Sequence, residues 1–395
     1  MTDSNLTDAQ DRDIAVFESV QDASNQDLLA YAAKQSGQTV IQVTKAFSDI
    51  SKLDGKLTLK EFVRYGLYDP AHPSQATRTE FIANDLRWPI AHTCNPGGWN
   101  SAAEDKVLAG TILGAGGVPV PEAIGVIDRS ARVFPGLPKI ETADALRDLL
   151  LLNGPDLFGK IIGGMVSFGA FSVESADQTH LTCVGQGPMT YDAFLTDFVG
   201  SNTYVIQRRL SNHSDIRPYA VALCTVRMVN LLTSSGVKSP MAVIKMPQGS
   251  NIADAYWRAG NLACSIDVAT GNVETVTRRN GMQIEFLDDH PDTAGLKGLT
   301  LPHWDKLQEV NRQAASIFAP IRYQSTDIAI TETGPVVVEL NYGGGFDLPQ
   351  NASGRGFLTS EVRQFFEDCG YQFSGKDKRE NKPSGGFSLF RRKRG

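Results

Sequence analysis

Apolar residues between positions 25 and about 95 recur at three- and four-residue spacing, and from about Ala91 short apolar runs begin to alternate with helical stretches. The first pattern predicts helices, and the second predicts strands and helices in turn, so an α+β or α/β core is expected behind a helical N-terminal region. In Leu57 to Tyr68 the helical spacing falls on Phe62, Tyr65 and Leu67, and Thr58 with Glu61 makes a capping box. The Asp54-Gly55-Lys56 turn before it lacks the regular acidic ligands of a calcium loop. A second capping box, Ser101 with Glu104, opens a predicted helix through Leu113 that stops at Gly116-Gly117.

Strands are predicted at Val118 to Ile127, Leu157 to Ile162, Phe168 to Glu174, Tyr204 to Arg209, Leu223 to Leu232, Met241 to Met246 and Leu262 to Val268. Thr270-Gly271-Asn272 marks a hairpin turn. Helices follow from Pro302 to Phe318 and from Ser360 to about Asp368. Residues 1–24 are polar and Asp-rich, which predicts a disordered acidic N-terminus, and residues 374–395 read as a disordered basic tail. The expected division is therefore a helical region over 25–95 and a core domain over 96–373, with no internal repeat.

One stretch of that core carries chemistry. Tyr323 to Asn341, YQSTDIAITETGPVVVELN, has two apolar runs, Ile328 to Ile330 and Val336 to Val338, separated by the turn cluster Thr331-Glu332-Thr333-Gly334. That is a hairpin pattern, and strand alternation points Glu339 and Asn341 the same way, with Asp327 near them on the partner strand. Two carboxylates and an amide oxygen suit Mg²⁺ or Mn²⁺, hard cations that take oxygen ligands together with nucleotide phosphates. A surface hairpin with solvated polar residues would show the same alternation. The valine run, however, reads as a buried strand, and a buried acid needs a partner.

Composition narrows the class. The chain has 395 residues, 41% of them hydrophobic, enough for one large or two medium cores. No apolar run approaches the ~20 residues that span a bilayer, and the start is acidic where a signal peptide would be basic and then apolar, so a cytoplasmic protein is expected. The five cysteines are scattered without CxxC or Cys/His spacing and read as reduced, buried thiols. The formal charge of −6 conceals an asymmetry: Gly375 to Gly395 carries +6, which leaves −12 for the rest. A body that acidic excludes nucleic acid as a partner of the folded part. The tail, ending Arg391-Arg392-Lys393-Arg394, reads either as a solvating extension or as a contact for anionic lipid or an acidic protein.

Lys160 on an apolar strand leads into Gly163-Gly164, where backbone amides can approach anionic oxygens and the ammonium can neutralise a phosphate. The order of residues is neither a Walker loop nor GxGxxG. Asp105-Lys106 before a helix and a VPVP strand, Lys160 with its glycine loop, Tyr204 to Leu210 (YVIQRRL), and Asp327 with Glu339-x-Asn341 follow the order of the ATP-grasp ligases. The wording between them, Cys224-Thr-Val-Arg227, Ala242-Val-Ile-Lys245, Gly260-Asn261 and Asp267-x-x-x-Gly271, most resembles the sugar-transfer-associated ATP-grasp family, over about Leu57 to Phe357.

The resemblance implies an ATP-grasp fold, two α/β lobes clasping ATP. Lys106 and Lys160 would touch the phosphates, Gly163 and Gly164 would cover them, and Gln207 to Leu210 would hold adenine at a hinge near 204–210. Arg227 and Lys245 would stabilise an acyl phosphate or the attacked carboxylate; a strand-edge salt bridge is the alternative. His213 and Asp215 would approach the ribose or lie in a solvated loop. The loop Asp254-Ala255 to Gly260-Asn261 departs from the family's usual Asp-Asn and Gly-Gly, which touches the acceptor site. The expected activity is an ATP- and Mg²⁺-dependent ligase joining a carboxylate to an amine or thiol, in cell-surface polysaccharide or peptide-like small-molecule biosynthesis. A kinase on the same fold and a non-catalytic nucleotide-binding scaffold are the rivals.

Overall fold

The computed structural model describes residues 8–19 and 23–373. The basic tail, with its expected disorder and its lipid or protein contacts, lies outside the described residues. At the other end the structure differs from expectation, because residues within 1–24 form α1 (Ala9–Ser19). Its sequence has little apolar face of its own; packing against another part of the chain holds it.

Residues 25–95 form α2 (Asn25–Ser36), α3 (Val40–Ile50), α4 (Leu59–Arg64) and α5 (Arg87–Cys94). The Thr58–Glu61 capping box forms as the sequence predicts. Leu28, Val43, Phe62 and Phe81 fill a core of their own. This region is also sewn to the rest: the Gln350 side chain accepts from the Ile82 N–H at 2.9 Å and donates to the Tyr65 hydroxyl at 3.2 Å.

The predicted helix from Ser101 is two helices, α6 (Gly97–Glu104) and α7 (Lys106–Ala115). Ser101 lies inside α6, its hydroxyl on the Gly97 carbonyl, so the predicted box does not form. Asp105 breaks the helix with extended backbone and caps α7, accepting from the Val107 and Leu108 N–H groups at 3.0 and 2.9 Å. That break makes Lys106 the first residue of α7.

The first sheet contains β1 (Ala123–Ile127), β2 (Lys139–Ile140), β3 (Leu157–Ile161), β4 (Phe171–Ala176), β5 (His180–Cys183), β6 (Met189–Thr190) and β7 (Tyr204–Arg208), in the order β2-β1-β7-β3-β4-β5-β6. Between them lie α8 (Ala143–Asn153) and α9 (Tyr191–Ala193), the latter continued by a π-helical turn over Phe194–Phe198. Leu146, Leu150, Phe171, Phe194, Phe198 and Tyr204 form the core behind this sheet. β4 begins three residues later than predicted, because Val166, Ser167 and Gly169 have φ of 48°, 58° and 67° and cannot join a strand.

The second sheet is antiparallel: β8 (Thr225–Thr233), β9 (Gly236–Met246), β10 (Leu262–Ile266), β11 (Val276–Asn280), β12 (Gln283–Leu287), β13 (Tyr323–Thr331) and β14 (Gly334–Asn341), in the order β12-β11-β10-β9-β8-β13-β14. α10 (Trp304–Ile317) buries Trp304, Leu307, Val310 and Ala314 against one face. α11 (Asp347–Ser353) covers part of the other, with Leu348 and Ala352 on Val243 and Ala263, and α12 (Ser360–Asp368) packs beside α5. Among the described residues no helix is long and apolar enough to cross a membrane.

Candidate functional site

The hairpin predicted from Tyr323 to Asn341 is β13–β14, and its register pairs Asp327 with Glu339 and Ser325 with Asn341, with a bulge after Asp327. β8 sets Arg227 opposite Asp327, and β9 sets Lys245 opposite Thr225. Directly opposed residues share a face, so one sheet surface carries Lys245, Arg227, Asp327, Glu339 and Asn341 in a row across four strands.

Their bonds are short. Arg227 grips Asp327 with both ends of its fork, Nε to Oδ1 at 2.8 Å and Nη2 to Oδ2 at 2.7 Å. Lys245 donates to Asp327 Oδ2 at 3.1 Å and pairs with Asp254 Oδ2 at 3.3 Å, while the Thr225 hydroxyl donates to Asp254. Two more lysines reach this face, Lys106 from the start of α7 and Lys160 from the first sheet. Lys106 Nζ lies 3.2 Å from Glu339 Oε1 and also donates to the Ile162 and Gly164 carbonyls. Lys160, on β3, donates to the Val338 carbonyl at 2.9 Å.

Three carboxylates thus meet four cationic side chains, a surplus of one positive charge. Burial pushes the Asp327 carboxyl up, but Arg227 and Lys245 outweigh it and hold the group well below the usual carboxylate range. Burial likewise raises Glu339, and Lys106 with Lys160 brings it below its ordinary value. Burial, with Asp327 adding, lifts Asp254 in spite of Lys245. Burial also lowers Lys160 to about 8, with Lys106 adding and Glu339 opposing. A crowded group of mutually shifted charges is typical of sites that bind or move charged ligands.

A magnesium ion suits the donor chemistry of this face. Both oxygens of Asp327 are engaged, whereas Glu339, 30% exposed, has one ion pair within 4 Å among the described residues. Asn341 keeps its amide Nδ2 buried and unpartnered beside Ser325, whose Oγ is unpartnered too, so the amide is held by no competing bond at that atom. The described residues contain no group of three His, Cys, Asp or Glu side chains that could hold a metal by themselves. A cation here would need Asn341 and oxygens supplied by the ligand.

Other predicted residues fall elsewhere. A Cβ on Gly164 would lie 2.8 Å from Ile161 Cβ, so that turn requires glycine, while Gly163 has open space around it. Gln207 stands on β7 opposite Phe158, two residues along β3 from Lys160 and on the same face, and Leu210 follows β7, half-buried. His213 and Asp215 do not join the cluster; the His213 ring lies 3.6 Å from both Asp215 and Glu332, at the hairpin tip.

A family model described as sugar-transfer associated ATP-grasp matches residues 90–365. The chain belongs to this family. Its two sheets with the N-terminal helices are the ATP-grasp fold in an α+β arrangement. Solved structures similar to it include biotin carboxylase from Campylobacter jejuni in complex with β,γ-ATP, 12% identical over 70% of this chain and 48% of that one, with a TM-score of 0.38. They also include D-alanine-D-alanine ligase from Coxiella burnetii, 13% identical over 70% and 55%, TM-score 0.33. A third is the macrocyclase MdnC from Microcystis aeruginosa bound with the precursor peptide MdnA, 14% identical over 77% and 75%, TM-score 0.36. The chain spans about half the length of the first of these. No curated protein matches it.

Three features of this face and of the glycine loop beside it are not legible in the sequence. Asp254 reads in sequence only as part of the departing loop; in the fold it meets the paired Thr225 and Lys245 side chains. Ser325 reads as an ordinary strand residue until its register with Asn341 is known. The third is α1, which lies outside residues 90–365.

Proposed function

We propose that this ATP-grasp protein is an ATP-dependent ligase that joins a carboxylate to an amine, or to a thiol, through an acyl phosphate, using Mg²⁺ or Mn²⁺. The observation that carries the reading is the convergence on the Glu339 strand of Lys106, from the start of α7, and Lys160, from the first sheet, beside the Arg227–Asp327 pair. Phosphoryl transfer needs alignment and neutralised charge more than a protein nucleophile, and this cluster offers cations and oxygens with no nucleophile among them.

In this reading Lys106 and Lys160 take the β- and γ-phosphates, with the Gly163-Gly164 turn above them. Gln207 and Leu210 hold adenine: Gln207 shares the Lys160 face about 7 Å along the strand, the direction a nucleotide would run. Asp327, Glu339 and Asn341 would hold the metal, which when bound would supply positive charge to neutralise the phosphates. The substrate carboxylate oxygen attacks the γ-phosphorus, the bond to the β-phosphate oxygen breaks, and ADP leaves. Arg227 and Lys245 then face the acyl phosphate; the amine attacks its carbonyl carbon, loses a proton and expels phosphate. Asp254 holds Lys245 in place.

An open cleft of about 460 Å³, lined by Glu104, Asp105, Asp128, Arg132, Gly163 and Thr203, gives the acceptor a side from which to approach. The reading extends to cell-surface polysaccharide or peptide-like small-molecule biosynthesis, of which the family's sugar-transfer association supports the sugar side, and the five free cysteines suit the cytoplasm. An ADP-release screen over carboxylate and amine pairs tests the reading, with Glu339→Gln as the control, expected to lower turnover at least about a hundredfold. ADP release that needs no amine and leaves a stable phosphorylated product would replace the ligase with a kinase.

A further inference from the structure

We propose that α1 is a strap across the nucleotide cluster, and that Asp13 is the positioning residue through which it holds the glycine loop. The proposal rests on the nucleotide reading above for its function but on contacts of its own for its existence.

α1 is seated on the first lobe. Asn202 Nδ2 donates to Asp8 Oδ2 at 2.9 Å, Arg12 donates to the Asp197 carbonyl at 3.3 Å, and Ala9 is buried. Gly200 admits this approach, since a Cβ there would lie 2.7 Å from the Asp8 carboxylate. From that seat a single oxygen, Asp13 Oδ2, accepts from the Gly169 N–H at 2.8 Å and from Arg258 Nη2 at 3.0 Å. Gly169 ends the loop that follows Lys160, and Arg258 belongs to the segment after β9 that also carries Asp254. One carboxylate therefore ties the glycine loop of one lobe to the Asp254 segment of the other.

One turn further on, Phe17 completes the closure. Its ring lies 5.7 Å from Phe168 and 5.4 Å from Trp257, and those two rings are 5.4 Å apart, so the three form a triangle over the seam. Below it Trp257 Nε1 donates to the Val166 carbonyl at 3.1 Å and Arg258 to the Ser167 carbonyl at 3.4 Å. Val166 and Ser167 have φ of 48° and 58°. A β-branched residue there is a true outlier and persists only where its surroundings fix it. Those surroundings are the two side chains that α1 holds. The same loop gives its Gly164 carbonyl to Lys106, so its position reaches the cluster directly.

A triphosphate under this loop enters and leaves only when the loop lifts, and the strap opposes lifting. Hydrogen exchange of amides 164–170 in the nucleotide-free full chain, compared among wild type, Asp13→Ala, Asp13→Asn and Phe17→Ala, tests the strap. Stopped-flow binding and release of mant-ATP tests its effect on the site. Asp13→Ala is expected to speed both loop exchange and mant-ATP dissociation roughly tenfold, the scale of one lost charge-assisted hydrogen bond. Asp13→Asn, which keeps an acceptor for Gly169 but loses the charge facing Arg258, should fall between. Loop exchange that is unchanged in Asp13→Ala, or that rises only with global unfolding, overturns the strap. A freed loop with unchanged mant-ATP rates overturns its role at the site. Failure of wild type to bind mant-ATP at all would overturn the nucleotide reading, and loop exchange would still decide the strap.

Discussion

The face of β8, β9, β13 and β14 and the glycine loop above it face the same space but are held by different means. On the sheet, Lys245, Arg227, Asp327 and Glu339 stand where ladder register puts them, and each shift of register by one residue would turn them all to the opposite face. The loop has no ladder. It keeps a left-handed Val166 and Ser167 through bonds from the side chains of Trp257 and Arg258, each 91 residues further along the chain, and α1 packs on those two side chains. Charges built into strands are preorganised, whereas a loop held by few contacts sits at the low-stability end and can move. The contrast suggests a division of labour in which the sheet supplies fixed electrostatics and the loop supplies access.

The largest expected effect breaks the sheet side. Asp327→Asn leaves Arg227 and Lys245 buried without their main counter-charge, and about 3–5 kcal/mol of stability should be lost in urea unfolding at neutral pH. The wild-type carboxyl is held below its ordinary value, so the stability it contributes is complete above its unfolded value of about 3.9 and is lost as pH falls through that value toward the folded one. The Asn variant should therefore show a flatter acid limb, read as unfolding free energy from pH 7 down to pH 3.

A smaller effect is expected where loop and sheet meet. Lys160→Ala should weaken ATP far more than adenosine in isothermal titration, because adenosine offers no phosphate to neutralise. Lys160→Arg should rescue only partly, since the planar fork places its donors differently under a tight turn. Because Lys160 is brought down to about 8 by burial first, its charge fades as pH rises through that value, and wild-type ATP affinity should fall above it. The arginine variant should lack that fall.

Within the loop itself, Gly164→Ala forces a Cβ to within 2.8 Å of Ile161 Cβ and should cost roughly 1–2 kcal/mol in thermal unfolding. Gly163→Ala, with open space, should stay within about 0.5 kcal/mol of wild type. The smallest effect concerns the tail. Truncation after Ser374 should leave ATP affinity unchanged, and a large loss would show that the tail belongs to the site.

Most strands and the β13–β14 hairpin are legible because two-residue alternation and turn residues are local signals. Boundaries failed where one side chain decided them. Asp105 stops α6 and caps α7, although nothing in the spacing of Ser101 and Glu104 marks a break between them. Val166 and Ser167 delay β4 because their backbone is set from outside the loop. α1 was unreadable for the same reason: its polar, Asp-rich sequence has too little apolar face to predict order, and its partners lie in two lobes far along the chain.

The sequence by itself determined the β13–β14 hairpin, the side of it that carries Glu339 and Asn341, and the strands bearing Lys160, Arg227 and Lys245, since alternation and turn chemistry act over a few residues. Which charges meet was decided only by the tertiary structure. Strand order set Arg227 against Asp327, the packing of α7 on the second sheet carried Lys106 to Glu339, and the docking of α1 joined Asp13 to Gly169 and Arg258. Such pairings join residues up to 245 positions apart, and only the folded chain specifies them.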